Sequence, residues 1–287
     1  MTPAAGPYTI AVLHPGAMGV ALARALAAPG HHLVGCTQGR SAPTRHRAEA
    51  AGLTDLPMDK LAAQADIAIS IVAPHAAERV ADELLTAGFT GLLIEANAVR
   101  PGQMQALATR VHAADGQLVD ACIMGPPPTP TAADPTRVYL SGPEPGLATA
   151  RTLLEQTGWL RVAELGLTIG QASALKLSQS TVQKAGRALA LLGHALADRY
   201  GLSEHLAREV RRWPNPAANP ADFPGVANRA WRWGDELRDA AAELAEAGLP
   251  SDLITDAAAL FDTLAPFKDA TPNLNAIYRS LKDAPDE

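Results

Sequence analysis

The chain has 287 residues, 47% of them hydrophobic and 19% charged, which suggests about two domains at roughly 150 residues each, with a core that needs neither disulfides nor a structural metal. Mean hydropathy is near zero and no apolar run approaches ~18 residues, which excludes a disordered chain and a membrane-spanning helix. Thirty acidic residues against 24 basic ones leave a net charge of −6, a balance that would repel a nucleic-acid backbone.

No Lys or Arg precedes Arg24 and a strand-like stretch begins by Tyr8, leaving no room for a secretory signal, so a cytoplasmic location is expected. From Tyr8 to about Leu165, short β-branched apolar runs alternate with Ala-rich helical segments, the pattern of a mostly parallel sheet covered by helices. Strands are predicted over Tyr8–Leu13, Leu33–Thr37, Ile67–Val72, Leu92–Glu95, Leu118–Cys122, Val138–Ser141 and Leu160–Ala163. Helices are predicted to begin near Ala17, Pro43, His75, Pro101 and Glu144. Cys36 and Cys122 fall inside strands, far from other ligand-type residues, and read as core thiols; no metal site is expected. After Leu165 the strand signal ends. Residues 168–200 contain no proline and keep helical periodicity through Leu175, Val182, Leu189 and Leu196, which predicts one helix of some nine turns. Ser203, Ser251 and Thr271-Pro272 mark later helix starts. Trp213–Pro224 carries four prolines in twelve residues and reads as a rigid loop. The domains are therefore placed at 1–164 (Rossmann-type α/β) and 165–287 (all-α, entered by a long helix).

The first strand runs into His14-Pro15-Gly16-Ala17-Met18-Gly19 and then directly into a helix. This is a G-x-G-x-x-G loop with His14 at its first position. The second glycine lets backbone approach a pyrophosphate, the third lets helix and strand pack closely, and the helix N-terminus faces the negative charge. His14 precedes a proline, which predicts extended geometry for it. NAD-binding loops place an acid after the second strand to hold the ribose hydroxyls, yet no acidic residue occurs before Glu49. Gln38-Gly39-Arg40-Ser41 stands there instead, followed by Arg45 and Arg47. A guanidinium and a hydroxyl at that turn suit a 2′-phosphate, so NADP(H) is the expected cofactor, bound by His14 to Gly19, Arg40, Ser41 and Arg45. The plainer alternative makes Arg45 and Arg47 the solvated start of a helix.

Between Leu165 and Ala197 there is no Asp or Glu, as expected of a helix enclosed by protein. Lys176, Gln179, Ser180, Gln183 and Arg187 recur there at spacings of three or four and draw one polar stripe. No carboxylate stands four residues from Lys176, on either side. A lysine enclosed in this way is expected to have a lowered pKa suited to general acid–base work; a structural, snorkelling lysine is the alternative.

With these features the sequence resembles the β-hydroxyacid dehydrogenase and 6-phosphogluconate dehydrogenase superfamily, within it a branch with its own helical C-terminal domain. The resemblance covers almost the whole chain. Beside the glycine loop and the Gly39-Arg40-Ser41 turn, it rests on Val72-Ala73-Pro74, on Glu95-Ala96-Asn97-Ala98-Val99 and on Asp120-Ala121-Cys122-Ile123-Met124-Gly125. It rests also on Gly170-Gln171-Ala172-Ser173-Ala174-Leu175-Lys176 and on Arg232-Trp233-Gly234-Asp235-Glu236-Leu237. It implies cofactor contacts at Val72, Ala73, Pro74 and Asn97, and a substrate loop of Cys122, Ile123, Met124 and Gly125. It further implies that Lys176 is the catalytic lysine, with Asn97 and Gln179 as catalytic partners, and that the assembly is a homodimer acting on a small molecule. Met124 stands where members acting on small hydroxy acids have Ser, and cannot donate a hydrogen bond to a carboxylate. The implied activity is NADP(H)-dependent hydride transfer to or from a small carbonyl or hydroxy compound. The alternatives are reduction of C=N, as in imine reductases, and a non-catalytic NADP(H)-binding protein.

Overall fold

The computed structural model describes residues 7–212, 217 and 219–282. The chain divides into two compact units between Lys176 and Leu177. The first carries β1 (Thr9–Leu13), α1 (Ala17–Ala27), β2 (His32–Cys36), α2 (Ala42–Ala50), β3 (Thr54–Asp55), α3 (Met58–Gln64) and β4 (Ile67–Ser70). It continues with α4 (Pro74–Thr86), β5 (Leu92–Glu95), α5 (Pro101–Ala113), β6 (Gln117–Met124), β7 (Thr136–Ser141), α6 (Gly146–Glu155) and β8 (Leu160–Gly166). The eight strands form one sheet in the order β3-β2-β1-β4-β5-β6-β7-β8. Every pair is parallel except β6 with β7. This is the doubly wound α/β arrangement expected, and its strand order reverses at β1 and β4, where such sheets bind ligands beyond the carboxyl ends of the strands.

Both faces of the sheet are covered, which is why its strands are near-continuous apolar runs. Ile10, Val12, Ile67, Ile69, Leu92 and Ile94 point to one face and pack with Val20, Leu26 and Leu153. Ala11, Leu13, Val34, Ala68 and Leu93 point to the other and pack with Val80, Leu84, Met104 and Leu107. Cys36 and Cys122 are buried free thiols, and burial pushes the Cys122 thiol up to about 12.

In this first unit two elements were not anticipated, β3 and α3. Thr54–Asp55 is only two residues long and offers too little periodicity to stand out, and α3 buries only Leu61 and Ala62.

The second unit is helical among its described residues. α7 (Gln171–Ser180), which begins in the first unit, passes through a π-helical stretch at Thr181–Ala185 into α8 (Gly186–Arg199). The predicted uninterrupted α-helix is thus corrected: the wider turns shift later side chains by about one residue, ~100° around the axis. α9 (Ser203–Arg212), α10 (Phe223–Ala230), α11 (Trp233–Glu246), α12 (Asp252–Thr263) and α13 (Leu274–Lys282) follow. Their core joins Leu177, Leu191, Phe223, Val226, Trp233, Leu237, Ile254, Phe261 and Ile277. Of the predicted Trp213–Pro224 loop, residues 213–216 and 218 lie outside the described residues. Its end is not loop: Pro220–Asp222 makes a 3-10 turn opened by Asn219, whose side chain accepts from the Ala221 N–H, and leads into α10. At α13 the capping side chain is Asn273, accepting from the Ala276 N–H at 2.9 Å, two residues beyond the Thr271 expected.

Candidate active site

The glycine loop joins β1 to α1 and behaves as its spacing requires. A Cβ on Gly16 would meet no atom within 4 Å, whereas one on Gly19 would stand 3.2 Å from Val12 Cγ1. The second glycine therefore leaves the loop backbone open to a ligand, and the third lets α1 pack onto β1. α1 has no acidic residue in its first turn and no side-chain cap, so its first N–H groups and positive dipole end are free to receive an anion.

His14 overturns its expected geometry. Its φ is +50°, the left-handed region rather than the extended one, so the imidazole-bearing residue itself makes the turn usually left to the first glycine. The ring explains how the strain, about 1–2 kcal/mol for an ordinary side chain, is held: it is buried, and Nδ1 lies 3.0 Å from Arg40 Nε and 3.2 Å from the Cys36 carbonyl oxygen. Burial and then the Arg40 charge keep its pKa below the ordinary value.

Beside it opens a groove of about 1100 Å³ whose walls include His14, Gln38, Gly39, Arg40, Arg79 and Thr86. Glu78, Asp82 and Glu83 also border it, but Arg110 pairs with Glu78 and Asp82 at 3.6 and 3.3 Å, and Arg79 pairs with Glu83. Among the described residues Arg40 has no carboxylate partner. Arg45 reaches back to the Arg40 carbonyl, Ser41 Oγ sits 3.1 Å from Thr44 Oγ1, and Arg47 donates to the same Thr44 oxygen at 3.1 Å. Asp55, from the unanticipated β3, accepts from Thr37 N and Oγ1 at 2.8 and 2.6 Å and so fixes the end of β2 just before the Gln38–Ser41 turn. His14 Nε2 is buried with no hydrogen-bond partner. An open glycine cradle, an uncapped helix start, a groove with an unpaired guanidinium and an orphaned ring nitrogen fit a dinucleotide.

At the carboxyl edge of the sheet the register aligns Ser70, Glu95, Asp120 and Ser141 on four neighbouring strands, and all four are fully buried. Asn97 closes this edge. Its Oδ1 accepts from the Val72 N–H at 2.6 Å, and its Nδ2 donates to Ser70 Oγ at 2.9 Å and to Glu95 Oε1. Asn97 thus ties the Val72-Ala73-Pro74 turn, which leads from β4 into α4, to the end of β5. Both of its amide hydrogens are committed to protein. Burial pushes the Glu95 carboxyl up to about 8, with the neighbouring Asp120 charge adding to the effect.

Asp120 accepts from Ser173 Oγ at 2.8 Å, Gly170 N at 2.9 Å, Ser173 N at 3.1 Å and Ser141 Oγ at 3.1 Å. It is a cap supplied to α7 from a strand fifty residues away, since an acid at a helix start satisfies orphan N–H groups and complements the dipole. Burial raises its pKa while these hydrogen bonds oppose the rise. So anchored, α7 carries half-buried Lys176 to the end of β6, where Nζ donates to the Ile123 carbonyl at 3.0 Å. Lys176 and the Cys122–Gly125 segment are brought together, and among the described residues Lys176 has no carboxylate partner.

Gln179, half-buried, lies one turn further along α7. Ser180, also on the predicted stripe, is buried and donates to Glu236 of α11. Lys184, not anticipated from the sequence, is buried, pairs with Glu236 and lies 5.7 Å from the Trp233 ring. The signal was available, because Lys184 continues the spacing of four through Lys176 and Ser180 in the same acid-free stretch. Its acid comes from another helix, in the Arg232–Leu237 segment.

A family profile described as the NAD binding domain of 6-phosphogluconate dehydrogenase matches residues 9–166, more than half of the chain. The chain belongs to that family. A second profile, described as a domain of unknown function (DUF1932), matches residues 197–264. No curated protein matches the chain in sequence. Among solved structures, a Mycobacterium tuberculosis 3-hydroxyisobutyrate dehydrogenase with L-serine is 21% identical, with 96% of this chain and 99% of that one covered and a TM-score of 0.72. A Streptomyces aurantiacus imine reductase is 18% identical over 94% and 98% of the two chains, TM-score 0.59. An Aspergillus terreus reductive aminase in complex with NADPH and ethyl levulinate is 17% identical over 95% and 99%, TM-score 0.61. At these identities the likeness is one of fold.

Proposed function

We propose that the protein is an NADP(H)-dependent oxidoreductase that transfers hydride between the nicotinamide and a small carbonyl or hydroxy compound, with Lys176 as general acid and base. The observation that carries this reading is the placement of Lys176: an amine without a carboxylate partner, held on an Asp120-capped helix start and donating to the Ile123 carbonyl at 3.0 Å, in the same unit as the dinucleotide loop. When bound, the cofactor supplies or accepts the hydride at the reacting carbon. The protein moves the proton. In the reducing direction the Lys176 ammonium gives a proton to the substrate oxygen, and in the oxidising direction the neutral amine takes it back. Arg40 and Ser41, in the Gln38–Ser41 turn that follows β2 and itself contains no acid, would take the 2′-phosphate, with Arg45 bracing the Arg40 backbone. The Cys122–Gly125 segment would flank the substrate, and Gln179 would orient it.

Met124 favours a second reading, reduction of C=N. It is half-buried at the end of β6 and offers no donor for the carboxylate of a small hydroxy acid, and both imine reductase and reductive aminase appear among the similar folds. A homodimer is proposed from the apolar side chains of α8 that stand exposed on the subunit, Leu189, Leu192 and Leu196.

The test is Lys176→Ala, assayed for NADPH oxidation with small aldehydes, ketones, oxo acids and cyclic imines. Turnover of an oxygen substrate should fall by about 10²–10⁴-fold, the usual contribution of a positioned proton donor, while NADPH binding measured by fluorescence persists. Undiminished turnover in the variant would overturn the role of Lys176. Absence of turnover in the wild type across the panel, with NADPH bound, would favour the non-catalytic alternative.

A further inference from the structure

We infer that His14 is a specificity-determining positioning residue: its neutral imidazole holds the Arg40 guanidinium in place for the 2′-phosphate, and protonation of the ring releases it. The inference rests on the proposed NADP(H) reading and deepens it.

The geometry turns on one atom. His14 Nδ1 stands between a donor, Arg40 Nε at 3.0 Å, and an acceptor, the Cys36 carbonyl oxygen at 3.2 Å. A guanidinium always carries its Nε proton, so the Arg40 contact is a hydrogen bond only when Nδ1 presents a lone pair. That requires the neutral ring with its proton on Nε2. Once Nδ1 is protonated it can donate only to Cys36, and the imidazolium repels the Arg40 charge at hydrogen-bond distance. The two partners are therefore alternatives selected by a single proton.

The surroundings favour the neutral ring, the only form that can accept from Arg40. The ring is buried, and burial followed by the Arg40 charge holds its pKa below the ordinary value. The other charges acting on it come from α4, where Glu83 raises the pKa and Arg79 lowers it, and these two pair with each other. Glu78, Asp82 and His75 border the same groove. The positive φ of His14 belongs to the same device, since it makes the turn while aiming a side chain at Arg40 that the usual glycine would lack.

Two substitutions separate the turn from the acceptor. Asn adopts positive φ readily, and its Oδ1 can accept from Arg40 without titrating; Gly makes the turn and offers no acceptor. The experiment is fluorescence titration of NADPH and NADH against wild type, Arg40→Ala, His14→Asn and His14→Gly between pH 5.5 and 8, read as the ratio of the two affinities. Wild type should favour NADPH at pH 8 and lose that preference toward pH 5.5 more steeply than His14→Asn. Titration of the 2′-phosphate itself is common to both proteins and cancels in that comparison. At pH 8, His14→Gly should have a preference lower by about ten-fold, the scale of one hydrogen bond to a charged group, and His14→Asn should recover most of it. If Arg40→Ala abolishes the preference while both His14 variants keep the wild-type ratio and pH slope, His14 is a turn residue only and the inference fails. If Arg40→Ala leaves the preference intact, the Arg40 reading fails and the His14 inference with it.

Discussion

Glu95 is a carboxyl that the fold holds neutral. It lies in the sheet between Ser70 and Asp120, and Oε1 takes the Asn97 contacts while Oε2 has no partner. Burial raises both carboxyls on these neighbouring strands, Glu95 to about 8, while four donors oppose the rise at Asp120. Because the folded-state pKa exceeds that of the exposed group, the folded state holds more protons between about pH 4.5 and 8, so stability falls as pH rises through that window. Each pH unit there costs the wild type up to ~1.4 kcal/mol relative to a variant with no proton to lose. Glu95→Gln keeps the shape and removes the titration. Urea midpoints at pH 5 and pH 8 should therefore converge in the variant and diverge in the wild type, and parallel behaviour would show that Glu95 is ionised in the fold. None of this was legible beforehand, since the sequence shows Glu95 but not that Asp120 lies beside it in register.

At the scale of elements, α7 is the part on which the chemistry depends, and its anchor is remote. Asp120→Asn keeps one acceptor oxygen but loses the charge and the second acceptor, leaving Gly170 N and the Ser173 groups only partly satisfied. The cost should be about 2–4 kcal/mol, as for a buried charged group stripped of its role. Hydrogen exchange of the first-turn amides, Gly170 to Ser173, should accelerate more than that of α12, which Asp120 does not touch; uniform acceleration would mean the cap serves only global stability. The sequence makes α7 and Lys176 visible through helical periodicity and the missing acids. It conceals the cap, because a strand and a helix fifty residues apart share no local pattern, and it conceals the π turn, because one inserted residue perturbs a 3.6 period too little to read. The roles of Gly16 and Gly19 in the loop were legible because their spacing encodes a backbone shape. His14 was misread because the residue preceding a proline normally avoids helical geometry, and here burial of the ring, with one Nδ1 hydrogen bond, outweighs that preference.

For the whole molecule the remaining question is what covers α8. Leu189, Leu192, Leu196 and Tyr200 follow one another at spacings of three and four and are 52%, 50%, 60% and 67% exposed, which places four large apolar side chains in one stripe along the helix. The absence of acids here had predicted an enclosed helix, and within one subunit this face is instead open. A contiguous exposed apolar stripe along a helix is the kind of surface that self-association removes from water, and a two-fold dimer uses the same patch on both copies. About 800 Å² per partner is needed for a stable pair, so the stripe would supply the centre of an interface whose rim extends beyond it. Leu192→Asp with Leu196→Asp puts two charges at that centre while leaving the subunit core, where Leu191 and Ala188 point inward, unaltered. Light scattering should report a dimer for the wild type at micromolar concentration and a monomer for the double variant, with the circular dichroism of the two superimposable. A wild-type monomer, or a double variant that remains dimeric, would assign the stripe to something other than a second copy of this chain.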